Sequence, residues 1–325
     1  MTGRGGFRAV LAAAVAFAAL AGCEDTALAP RSTAVKPHER PAEVRPAPEV
    51  AEVGPSAQSL ALQKYYASIQ ADLLVRGLLR TDGGGPDTAF TDTMLARNFE
   101  RIALAEEYER GAGLTPSRGE LGAIKKWVKP VRLSVEFGAR VPKSQIAEDR
   151  AWVSQYVAKL GSITGHPISL SAPAAANFHV LFMSEDDKAE IKPRIRALVP
   201  DVNPASLDVF DNLPRSIHCL VIAFSEEPNG YSYGEAIAVI RTEHPDLLRR
   251  SCIHEEVAQG LGLGNDDPRA RPSIFNDDDE FALLTGHDEL LLKILYDPEL
   301  KPGMDAEVAM PIVRRKAAAL LGGSS

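Results

Sequence analysis

Between His254 and Asp266 the chain reads HEEVAQGLGLGND, which brings a histidine, three carboxylates and two amides into thirteen residues. At about 100° per residue, a helix places Glu255, Gln259 and Gly262 within about 60° of one another, with Glu256 about 100° from Glu255. Leu248 and Cys252 share that face. A carboxylate there could take or give a proton, and paired carboxylates could hold a cation. His254 falls about 100° to the other side, between Leu247 and Leu261. It is expected as a core histidine satisfied by a backbone group, not as a ligand.

The stretch opens like the zinc-protease signature H-E-x-x-H, but Ala258 stands at the second histidine. Shifted by one residue, it resembles the longer metzincin pattern H-E-x-x-H-x-x-G-x-x-H, which falls on Glu255, Glu256, Gln259, Gly262 and Asn265. Further on, Ser273-Ile274-Phe275 resembles the Ser-Ile-Met turn of matrixin-like enzymes. Leu284-Thr285-Gly286-His287-Asp288, running to Leu295-Tyr296, resembles their closing helix. This resemblance spans roughly residues 125–300. It implies a metallopeptidase-like fold in which Glu256 holds the general-base position. Glu255, Gln259 and Asn265 take the three ligand positions, and Phe275 replaces the methionine of the turn. The chain also resembles an uncharacterised family of bacterial envelope proteins classed as a domain of unknown function.

Zinc favours imidazole and thiolate, and a neutral amide oxygen is a weak ligand for it. One carboxylate and two amides in place of three imidazoles predict no zinc, and no metal or other cofactor is expected. The leading expectation is a zinc-free pseudopeptidase whose cleft binds an envelope peptide, protein or glycan. The alternative is a hydrolase using Glu256 as general base, with a non-standard metal or none. A third reading is a purely architectural envelope protein.

The elements that must position these residues are legible from periodicity. Helices are expected at Leu60–Leu79, from about Thr91, at Ser144–Leu160, Asp186–Leu198 and Pro245–Leu261. Strands are expected at 131–137, 168–170, 178–183, 217–224 and 236–240. The fold class is α/β, a metzincin-like mixed sheet with a cleft helix, preceded by an N-terminal helical hairpin. The expected divisions are a signal peptide (1–22), a Pro-rich tether (23–57), the hairpin (58–112), the metzincin-like domain (120–310) and a C-terminal tail (311–325). Gly83-Gly84-Gly85 reads as the turn of the hairpin, since no strand precedes it and no Gly-Lys-Ser/Thr follows. Residues 276–280 read as a loop capping the next helix, and His179 and His218 as core residues of strands.

The amino terminus carries Arg4 and Arg8, an apolar run from Ala9 to Leu20, and Leu20-Ala21-Gly22-Cys23. That is the pattern of a secretory signal, too short to span a bilayer. Leu-Ala-Gly-Cys resembles the bacterial lipobox, which implies lipidation of Cys23 and a periplasm-facing, membrane-anchored protein. Residues 24–57 hold six prolines and few large apolar residues, as in an extended tether of about 3.1 Å per residue. The net charge of −8 counts against nucleic acid as a partner. Beyond Cys23 only Cys219 and Cys252 remain. In an oxidising compartment such a pair is expected to form a disulfide rather than a metal site.

Overall fold

The computed structural model describes residues 54–322 apart from 109–112, 212 and 277. The signal segment, Cys23 and the tether up to residue 53 lie outside the described residues. No described helix is long and apolar enough to cross a membrane.

The architecture is mixed α/β, with a mostly parallel six-stranded sheet. Helices α1 (Ala57–Val75) and α2 (Asp92–Ala103) precede it, followed by β1 (Lys126–Trp127) and β2 (Val131–Phe137). The chain continues through α3 (Lys143–Thr164), β3 (Ile168–Leu170), β4 (Phe178–Met183), α4 (Lys188–Leu198) and α5 (Pro204–Asp208). It ends with β5 (Cys219–Ser225), β6 (Ser232–Arg241), α6 (Asp246–Gly260), α7 (Gly286–Leu295) and α8 (Ala306–Leu320).

In the sheet, β2 pairs in parallel with β3 and β4, and β4 with β6. Strand β5 runs antiparallel to β6, with Cys219 opposite Ile240 and Val221 opposite Ala238. Successive side chains of a strand point to opposite faces. Phe178, Val180 and Phe182 therefore pack with Val153, Val157, Ile253 and Val257 of α3 and α6. Leu181 and Met183 pack instead with Ile191 and Ile195 of α4. Burial on both faces accounts for the near-continuous apolar runs that marked these strands in the sequence.

The expected N-terminal helical segment is present, and its two helices pack on different partners. Tyr66 and Leu73 of α1 join Leu248 and Ala282, whereas Leu95, Phe99 and Ile102 of α2 enter the main core, against α7 and α8. The apolar stripes face different partners, so the Gly83–Gly85 turn separates the helices. The expected tail from 311 is mostly helix α8, which buries Ala309, Met310, Val313 and Ala317. That helical spacing outweighs the breaking tendency of Pro311.

Residues 276–280 do not cap the following helix. Thr285 does so, accepting from the Asp288 N–H in a capping box. Glu280 instead pairs with Arg80 and Arg271, and Leu79 and Arg80 donate backbone bonds to the carbonyls of Asp279 and Glu280.

Candidate functional site

Helix α6 packs on β5 and β6 and forms one wall of a cleft of about 740 Å³. Its N-terminal end is fixed at two points. The Leu248 N–H, one of the donors a helix start leaves unpaired, is accepted by Gln70 Oε1 of α1 at 3.1 Å. Cys252 is disulfide-bonded to Cys219 at the start of β5, with Cα atoms 5.8 Å apart. The expected disulfide is therefore present, and it ties the cleft helix to the edge strand.

The other end of α6 turns sharply. Gly260 lies against the Phe178 ring, where a β-carbon would overlap it. Its carbonyl accepts from Trp127 Nε1 at 2.8 Å. Gly262 has φ +122°, and a β-carbon there would collide with the Lys125 carbonyl. Glycine is needed at that position. The Leu261 carbonyl accepts from the Tyr296 hydroxyl at 2.8 Å, so strand, helix end and α7 are locked together.

This turn decides which groups reach the cleft. Glu255, Glu256 and Gln259 line it. Asn265 does not: its Nδ2 donates to the Arg101 carbonyl at 2.8 Å and its N–H to that of Ile102 at 3.2 Å. Asp266 takes the cleft position instead, with Gln259 Nε2 donating to its Oδ1 at 3.4 Å. Glu107 and Tyr108, from the segment after α2, line the opposite side. Neither Glu107 nor Asp266 is marked by the motif: Asp266 follows its last position, Asn265, and Glu107 lies far outside it in the sequence.

Phe275 is fully buried, with its N–H donating to Ser273 Oγ at 3.1 Å and its carbonyl accepting from Asp267 at 2.9 Å. Asp288, itself fully buried, accepts from Ser273 Oγ, the Ile274 N–H, and both Thr285 N–H and Oγ. One carboxylate thus holds the turn against α7 and presents Ile274 to the cleft.

Glu256 is 3% exposed, and no described residue bonds its Oε2. Burial, then the nearby charges of Asp266 and Glu107, push its pKa well above the usual carboxylate range. The carboxyl is favoured in its protonated form, which can donate a hydrogen bond or receive a cation with loss of the proton.

Single ligand atoms of Glu255, Glu256 and Cys219 lie within 4.8 Å of one another. The Cys219 sulfur is in the disulfide, so it offers no thiolate. With Asn265 turned away and no imidazole in the group, these residues do not fit a zinc centre. His254 stacks on Tyr156 with centroids 3.9 Å apart, and its Nδ1 accepts from the Leu284 N–H at 3.0 Å. Burial pushes its pKa down to about 3, and it stays outside the cleft as a neutral core group.

His179, in β4, and His218, which falls just before β5 rather than in a strand, are not ordinary core residues. His179 is buried between Glu136 and Glu235, each 2.9 Å away, on the α4 face of the sheet. His218 lines the cleft and lies beside His244 and Tyr66.

No curated protein and no solved structure matches the chain. A family model described as "Protein of unknown function (DUF2927)" matches residues 92–315, from the start of α2 into α8. That stretch contains every wall of the cleft named above, and the chain belongs to this family.

Proposed function

We propose that the domain is a zinc-free, metzincin-like pseudopeptidase that binds an extended chain in the α6–β5 cleft. The observation that carries this reading is β5. All of its residues line the cleft, apolar Val221, Ile222 and Phe224 among them, and among the described residues its one ladder partner is β6. An edge strand with backbone groups turned to a groove can add a peptide strand, which supplies affinity through main-chain bonds. This favours a peptide or protein segment over a glycan. The open groove counts against a purely architectural role.

The hydrolase alternative needs Glu256 ionised as a base. Its burial beside Asp266 and Glu107 works against that. The proposed setting is the cell envelope, with the chain anchored through lipid on Cys23. The support is the sequence pattern of residues 4–23 alone. Cys23→Ala should release the protein from membranes.

The binding test uses the full chain in detergent and a pool of end-capped, valine- and threonine-rich octapeptides. Hydrogen exchange should show added protection at Leu220–Phe224 on binding. Binding that leaves β5 unprotected would remove the edge-strand reading. Peptide cleavage lost in Glu256→Ala would favour the hydrolase.

A further inference from the structure

We infer that the cleft selects an extended segment carrying a lysine or arginine side chain, which enters the acidic floor beside Glu256. This rests on the groove reading above and names the partner's chemistry. The first support is an unmet bonding need. Glu256 is nearly fully buried, it lines the cleft, and its Oε2 has no partner among the described residues. A buried polar atom without a partner is costly and uncommon in native proteins.

The second support is the charge of the lining. Glu255, Glu107, Asp266 and Asp279 line the same cleft. Lys125 is the one lysine or arginine among the described lining residues, and it is ion-paired with Glu106. Glu255 and Glu256 each bring a carboxyl oxygen within 4.8 Å of the other, a separation that one cationic head can bridge. A guanidinium presents five donors in a planar fork, suited to two neighbouring carboxylates. On its entry the Glu256 proton passes to solvent, Oε2 gains a donor, and the field of Asp266 and Glu107 turns from a cost into an attraction.

The third support is placement. The acids of α6 lie beside β5 at the disulfide end, and on that same face of β5 the apolar side chains of Val221 and Ala223 continue along the cleft. A strand added along β5 would set alternate side chains toward the floor. One basic side chain among apolar neighbours fits that surface.

The test compares two fluorescent, end-capped heptapeptides of alternating valine and threonine, one with a central arginine and one with a central norleucine. With the full chain in detergent at low salt, the arginine peptide should bind at least ten-fold more tightly. That preference should fall to about one in Glu256→Gln/Asp266→Asn. Glu255→Gln/Asp266→Asn serves as a second variant, and urea midpoints confirm that each is folded. Equal affinity of both peptides for wild type would overturn the basic-partner inference and leave the groove reading standing. Failure of both peptides to bind would overturn both. Tight binding of calcium, magnesium or manganese chloride alone, abolished by the same substitutions and with the peptides undiscriminated, would assign the carboxylates to a metal ion and overturn the inference.

Discussion

Asn265 and Arg101 are joined by a 2.8 Å hydrogen bond from the asparagine side chain to the arginine carbonyl at the end of α2. The bond turns Asn265 out of the cleft and leaves its neighbour Asp266 facing in. Asn265→Ala should then cost about 1 kcal/mol of stability, the usual worth of one such bond, and leave peptide binding unchanged. Asp266→Asn should weaken the arginine probe with little effect on stability. Urea denaturation and fluorescence anisotropy on both variants check the contrast. A binding loss in Asn265→Ala equal to that in Asp266→Asn would contradict it.

The Cys219–Cys252 bond closes a loop of 33 residue steps between the edge strand and the cleft helix. In the chain-entropy model that stabilises the fold by about 3–4 kcal/mol. The Cys219→Ser/Cys252→Ser variant should lose roughly that much in urea denaturation. Because α6 would no longer be held to β5, peptide affinity should fall as well.

On the far face of the sheet, Glu136 receives hydrogen bonds from His179 and bidentate bonds from Arg194. Burial disfavours its charge, but these partners outweigh burial and hold its pKa at about 2. A carboxylate depressed on folding stabilises above its unfolded pKa and loses that contribution as pH falls through its folded value. The loss should run between about pH 4.5 and pH 2 and reach about 2–3 kcal/mol. For His179, burial opposes the charge, while Glu136 and Glu235 outweigh it and raise its pKa. Its contribution is complete below the unfolded value of about 6.5 and fades as pH rises through the raised one. Urea midpoints from pH 2 to 9 should show both limbs, and Glu136→Gln should flatten the acid one.

Protein purified without added metal should hold no stoichiometric zinc, and a chelator should leave the melting temperature unchanged. The reason is the donor set: two carboxyls, an amide and a disulfide sulfur in place of imidazoles. One zinc per chain by elemental analysis, with chelator-sensitive proteolysis, would contradict it.

The sequence by itself determined most of the elements and the face of the cleft helix, but not β1, α5 or α8. Apolar runs at 131–137 and 178–183 mark strands buried on both sides, and such burial leaves the same trace whatever the neighbours are. The 100° step of a helix set His254 off the face that carries Glu255, because that geometry is local. The cysteine count fixed the pair Cys219–Cys252. Only the tertiary structure decided what depends on distant segments meeting. Glu107 comes near enough to act on the charge of Glu256 because the end of α2 is hydrogen-bonded to Asn265 in the turn after α6. Asn265 and Asp266 exchange places because a carbonyl of α2 captures the first. The stripes of α1 and α2 were visible, but their partners lie far along the chain, at Leu248 and in α8. His179 read as a core histidine because its carboxylates, Glu136 and Glu235, sit on separate strands and join it only through sheet register. A spacing rule sees one helix or one strand at a time, whereas a site built from several needs the fold to bring them together.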